Sequence, residues 1–331
     1  MQKTWSIKEK RYDLIKLFWV FGLLFFLAIG FTAHAAAQKP ASILLTAPNL
    51  YGKNFFTILI NSPDPKEAPK NFRMMSAGTA EGLHASASAV LSKGQFEFLV
   101  SKLNSDSAPG TLGEAKQIHI IDTSSHAHGF VNNMQVVWLD QNIQFGSDEP
   151  VFLDQEKNLL AGLKKEKKVT LYTLPDGVED FNLNLSEVLK KGGQKIQVQA
   201  DGVETEQQYL KEKKMSYTRI PIAAKDISNL ENKQIEQLVR VMKKMKKGEW
   251  LHFHNEEGAG NLSQTLVVAD VLKNAPSTSL EEILNRQNVL GSQAKLAAVL
   301  TNAKLEKIYA YAKEQAPEYK LAYSDWVSAE K

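Results

Sequence analysis

The stretch "GEWLHFHNEEGAGNLSQT", residues 248–265, changes its pattern twice. An apolar run, "WLHFH", reads as a buried strand ending in His254. A loop from Asn255 to Asn261 follows, with glycines at 258 and 260, and then Leu266, Ala269 and Leu272 recur at helical spacing. A strand–loop–helix junction turns several backbone N–H groups and the positive end of a helix dipole toward one point, which is a cradle for an anion. Gly258 and Gly260 allow the backbone to turn inward without a Cβ in the way. A cradle that transfers phosphate would carry a thiol directly after the histidine and a guanidinium six residues later. Asn255 and Asn261 stand there instead.

Outward from this loop, the chain alternates strand-like and helix-like segments. "SKGQFEFLVSKL" has helical spacing through Phe96, Leu99 and Leu103, with Ser92 as N-cap, and "QIHIIDT" reads as a buried strand. "NFRMMSAGTAEGLHASASAV" reads as loop and turn material. The pieces "MQVVWLD", "KKVTLYTL" and "QKIQVQA" predict a small β-rich insertion, with its lysine runs in solvated turns. Helix-like "TEQQYLKEKK" and the strand "SYTRIPI" come next. Ile235, Leu238, Val239, Met242 and Met245 then form one stripe at helical spacing, opened by a Ser228–Glu231 capping box and stopped by Gly248. A further capped helix runs from Ser279 to near Gly291. The alternation predicts an α/β fold, a mainly parallel sheet flanked by helices, with the glycine loop where a strand gives way to a helix.

The chain has 331 residues, 43% hydrophobic and 23% charged. Residues 1–37 differ from the rest: five basic side chains, an apolar run from Leu17 to Phe31, and small residues at Ala35 and Ala37 predict a secretory signal cut before Gln38. The expected address is therefore periplasmic or secreted, with membrane attachment only through an uncleaved signal. Taking the five basic and two acidic residues of this segment from totals of 40 and 37 leaves 35 of each. The basic balance belongs to the export segment and does not point to nucleic acid. The absence of cysteine excludes disulfides and any thiolate nucleophile.

The glycine-loop stretch resembles the W-L-H-F-H-C-x-x-G-x-G-R-T signature of the protein-tyrosine-phosphatase-like phytases, a branch of the cysteine phosphatases. "NFRMMSAGTAEGLHASASAVLSKGQFEFL", "IIDTSSHAHGFVNNMQVVW", "VETEQQYLKEKKMSYTRIPIAAKD" and "STSLEEILNRQNVLG" resemble other family segments in the right order, over about residues 70–291. The resemblance implies a phosphatase core, 38–137 and 201–325, interrupted by a partial β-barrel at 138–200. It also implies a two-step attack on inositol polyphosphates without a cofactor or metal. The general acid falls on Asp226, the histidine before the nucleophile on His254, and the ligand-binding loop on Glu256, Glu257, Gly258, Ala259 and Gly260. The nucleophile position is Asn255 and the phosphate clamp Asn261. Ser124 and His126 stand where the family has an arginine and a glutamate.

A carboxamide is no nucleophile toward a phosphate ester, and loss of a covalent step lowers rate by several powers of ten. Asn261 also removes a planar, permanently charged fork. The expectation is a catalytically inactive relative that serves as a binding module, for a weakly held phosphorylated small molecule or, preferably, a protein partner. Weak inositol-phosphate or phosphotyrosine hydrolysis is one alternative. A metal-dependent hydrolase built on His126, His128, His252 and His254 is the other.

Overall fold

The computed structural model describes residues 56–59, 67–75, 83–105, 117–139, 149–174, 185–222, 227–246, 248–290 and 302–329. Residues 1–37, expected to be an export signal, and Asp226 lie outside them. In chain order the elements begin with β1 (Phe56–Leu59), β2 (Arg73–Met74), β3 (Ala85–Ala89), α1 (Lys93–Ser105), β4 (Gln117–Asp122), β5 (His128–Val131) and β6 (Met134–Leu139). There follow α2 (Glu149–Lys165), β7 (Lys168–Thr173), α3 (Leu185–Lys190), β8 (Lys195–Gln199), β9 (Val203–Glu204), α4 (Glu206–Glu212) and β10 (Ser216–Arg219). The last are α5 (Asn232–Lys244), β11 (Glu249–Asn255), α6 (Asn261–Asn274), α7 (Leu280–Leu290), α8 (Ala303–Gln315) and α9 (Tyr323–Ala329).

The fold is mixed α/β. One sheet has the order β10-β4-β11-β3-β2, parallel except for β2 at its edge. Because side chains alternate across a strand, β11 serves two layers. Leu251 and Phe253 join a core with α5 to α9, among them Leu238, Leu266, Ile308 and Tyr311. Trp250 faces the other way, with Phe96 and Leu99 of α1 and Leu210 of α4. Asp270 of α6 ties one helical layer together. It accepts both Arg286 Nε at 3.1 Å and Nη2 at 2.6 Å, and Gln287 Nε2 at 2.6 Å, from α7.

The second sheet, β8-β7-β1-β6-β5-β9, is antiparallel except for the β1–β7 pair. It takes β1, β5 and β9 from outside 138–200, and that stretch also holds the 17-residue helix α2, which the β-rich reading did not include.

Three local expectations need correction. "ASASA" at 85–89, read as loop, is a fully buried central strand. Its residues have weak strand propensity, but the strand is paired on both sides, with β11 and β2, and fully buried, so tertiary pairing overrides propensity. Helix α5 starts at Asn232, where Gln234 Oε1 accepts the Glu231 N–H at 2.9 Å, while Ser228 sits in a preceding 3₁₀ turn. That helix ends at Lys244, before Gly248. The caps read at Ser92 and Ser279 are both made: Ser92 Oγ accepts from Gln95 N at 3.3 Å, and Ser279 Oγ from Glu282 N at 3.2 Å. Among the described residues no helix is long and apolar enough to cross a membrane.

Candidate functional site

The loop lies at the C-terminal end of β11, where parallel sheets place ligands. Gly258 adopts φ +73°, and a Cβ there would meet Ala89 N at 2.2 Å and the Ser88 carbonyl carbon at 2.5 Å. The loop backbone thus lies directly on β3. Gly260, at φ +56°, is the N-cap of α6. Arg73 and Asn71 hold the loop from outside. Arg73 Nη1 donates to Gly258 O at 2.5 Å, its Nη2 to Ser263 Oγ at 3.0 Å, and Asn71 Nδ2 to Glu257 O at 2.7 Å.

Inside, the loop is filled by its own side chain. Asn255 Oδ1 accepts the N–H of Gly258 at 2.6 Å and that of Glu257 at 3.2 Å. Asn255 Nδ2 donates to Asn261 Oδ1 at 2.6 Å, and Asn261 Nδ2 donates to Ile222 O at 2.7 Å. Asn255 and Asn261 therefore bond to each other, and two loop N–H groups are spent on a side-chain amide. Ala259 is half-buried, as is Glu257. Glu256 is buried and turns away from the cradle: its Oε1 accepts His126 N at 2.8 Å and contacts His126 Nδ1 at 2.7 Å. Burial opposes its charge, but His126 and these hydrogen bonds prevail and hold its carboxyl below the usual range.

Beneath the loop the register of the parallel sheet aligns a polar row. His254 of β11 lies opposite Asp122 of β4, which lies opposite Arg219 of β10. Across from this row stand His128 of β5, Glu206 in the first turn of α4, and Glu156 of α2. Arg219 Nη1 contacts Asp122 Oδ2 at 3.0 Å and Glu156 Oε2 at 2.8 Å, while Nη2 donates to His126 O at 2.7 Å. Tyr217 donates to Asp122 Oδ2 at 2.6 Å. His128 Nε2 lies 2.8 Å from Glu206 Oε2 and 3.3 Å from Asp122 Oδ2. His254 Nε2 lies 3.0 Å from Glu206 Oε1 without hydrogen-bond geometry. The capping box of Thr205 and Gln208 sets Glu206 at the helix start, where the dipole favours a carboxylate.

Burial would strip a proton from His128, but Asp122 and Glu156 and the Glu206 hydrogen bond outweigh both burial and Arg219 and raise it to about 9. Asp122 is held far below the carboxylate range, against its burial, chiefly by Arg219 and the two histidines. Burial pushes Tyr217 well up.

The two His-x-His pairs do not form one four-histidine centre. His252 is buried between Ser86 Oγ, 2.8 Å from Nδ1, and Ser88 Oγ, 3.2 Å from Nε2. His126 goes to Glu256. Only His128 and His254 reach the cluster, where ligand atoms of Asp122, His128 and Glu206 lie within 4.8 Å of one another. Glu206, Glu156 and Arg219 escaped the reading of the sequence. Glu206 lay in a stretch read only as helix-like, and Glu156 in the stretch read as a β-rich insertion, between its strand-like pieces. Ser124 is buried beside Arg219, whose Nη2 points to its carbonyl at 3.4 Å.

A strand, a glycine loop lying on its neighbour strand, and a helix opening at the loop's end form one junction, with amides at positions 255 and 261. Residues 154–273 match the family model PTP-like phytase, described as "Inositol hexakisphosphate". The chain is similar in structure to the tandemly repeated PTP-like phytase of Mitsuokella multacida, with 23% identity and a TM-score of 0.65 over 84% of this chain and 48% of that one. It is likewise similar to the PTP-like myo-inositol phosphatase of Mitsuokella multacida in complex with myo-inositol-(1,3,4,5)-tetrakisphosphate, at 24% identity, TM-score 0.65 and the same coverage. The chain thus spans about half the length of these two. A PTP-like phytase from Bdellovibrio bacteriovorus matches with 19% identity and TM-score 0.59 over 83% of this chain and 95% of that one. No curated protein matches in sequence.

Proposed function

We propose that this protein is an exported, catalytically inactive PTP-like phytase relative that uses its phosphatase scaffold to bind a protein partner. The observation that carries the reading is the amide plug. Asn255 Oδ1 takes the Glu257 and Gly258 N–H groups that would otherwise face an anion. No thiolate exists anywhere in the chain, and the clamp position supplies no charge. Chemistry and anion recognition are thus impaired together, which favours a protein partner over a phosphorylated small molecule.

Two measurements test this. Phosphate release from inositol hexakisphosphate should be indistinguishable for the wild-type chain and Asp226→Ala; turnover that disappears in the variant would refute inactivity. Calorimetric titration with inositol hexakisphosphate should show millimolar or no binding. Micromolar binding would instead make the protein a receptor for phosphorylated ligands.

A further inference from the structure

We propose that Asp122, His128 and Glu206, with His254 as fourth donor, form a closed structural site for one zinc-type divalent cation. The site is independent of the glycine loop and of any hydrolytic activity.

The orientation of His128 supports the assignment. Its Nδ1 lies 3.2 Å from His126 O, a carbonyl that can only accept, so Nδ1 carries the proton. Nε2 then points at Glu206 Oε2 and Asp122 Oδ2. A backbone carbonyl fixing one ring nitrogen while the other faces carboxylates is the usual outer-shell arrangement of a metal-binding histidine. The separations fit as well. Donors at about 2.0–2.1 Å from a tetrahedral zinc stand roughly 3.3 Å from each other. His128 Nε2 to Asp122 Oδ2 is 3.3 Å and His128 Nε2 to Glu206 Oε2 is 2.8 Å, and these three residues form the close donor group; His254 Nε2 faces the other Glu206 oxygen, Oε1, at 3.0 Å. An opening of about half an ångström accommodates the ion.

An independent observation is the state of His254. It is fully buried, and neither ring nitrogen has a hydrogen bond, although Nε2 faces Glu206 Oε1. Glu206 Oε1 is itself without a hydrogen bond. Charge points the same way. Three buried carboxylates, Asp122, Glu156 and Glu206, share the cluster with one buried guanidinium, Arg219, which contacts the first two. Arg219 pairs with Asp122 and Glu156, and a dication held by His128, Asp122 and Glu206 would take over the charge balance that a protonated His128 supplies without it. Two imidazoles and two carboxylates suit zinc. Complete burial leaves no position open to substrate, which is the mark of a structural site; such an ion would brace β4, β5, β11 and α4 beneath the loop.

The test uses the full chain, stripped with chelator, reloaded with Zn(II) and dialysed. One zinc per chain should be retained, and the thermal midpoint should rise with zinc concentration. Co(II) in its place should give the visible d–d bands of a four-coordinate ion. Glu206→Gln should weaken zinc binding at least about tenfold, whereas His119→Gln, at a histidine bonded to Thr218 away from the cluster, should leave it unchanged. Absence of retained zinc, a six-coordinate Co(II) spectrum, or equal affinity in Glu206→Gln would overturn the assignment. The wild-type spectrum decides the matter even where a variant does not fold.

Discussion

Replacing Asn255 by alanine should make the glycine loop a better anion site than it is in the wild-type protein. An anion entering the wild-type cradle must displace Asn255 Oδ1 from two N–H groups, at 2.6 and 3.2 Å. A neutral hydrogen bond of this kind contributes about 0.5–1.5 kcal/mol net, so the plug opposes binding by about 1–3 kcal/mol. At about 1.4 kcal/mol per factor of ten, this corresponds to roughly five- to 150-fold in affinity. Asn255→Ala should bind inorganic phosphate or inositol hexakisphosphate more tightly than wild type by that factor, measured by calorimetry at one fixed ionic strength. The same change removes the bond to Asn261 and leaves the buried Gly258 N–H without an acceptor. Urea unfolding should therefore show a loss of about 2–3 kcal/mol with an unchanged m-value. Asn255→Asp keeps the acceptor and adds charge, so it should gain no affinity. A folded Asn255→Ala protein that binds either anion no better than wild type would sink the plug argument.

The remaining expectations concern the loop and the framework around it. Gly258→Ala should cost more than about 4 kcal/mol or abolish soluble expression, because its Cβ would collide with the β3 backbone. Gly260→Ala, whose Cβ would meet only Glu257 Oε2 at 3.9 Å, should cost about 1–3 kcal/mol for a backbone at φ +56° and ψ −118° that only glycine adopts readily; equal losses at both glycines would contradict the close-approach reading. Asp270→Ala strands Arg286 and should destabilise by about 3–5 kcal/mol in urea unfolding, with a loss under 1 kcal/mol arguing against that network. Because Glu256 is held below its ordinary range, its contribution to stability is present above the unfolded carboxylate pKa of about 4.3 and is lost as pH falls through the lower folded value. Glu256→Gln should flatten this acid-side dependence, and an unchanged slope would show that other carboxylates dominate it.

The architecture and the loop were legible in the chain because their signals are local. Strand, glycines and helix follow one another within 248–265, and the identities at 255 and 261 exclude a thiolate and a guanidinium whatever the fold. The layers could be read because β11 and α5 repeat apolar residues at their own periods. "ASASA" could not be read, since its strand character comes from pairing with β11 and β2 rather than from its own residues. The four-histidine reading failed for a related reason. Residues two apart on a strand share a face but meet different partners, so His252 reaches two serines and His254 reaches Glu206.

The sequence by itself determined that the chain has no cysteine and that amides stand at both 255 and 261. Only the tertiary structure decided what those amides bond to, because a hydrogen bond depends on where the backbone points its N–H groups, which residue names do not specify. The same holds for the cluster beneath the loop, where the register of three parallel strands sets His254, Asp122 and Arg219 in one row and α4 brings Glu206 against it. Donors so far apart in the chain share a dry site only once burial of the apolar faces has fixed the distances between them.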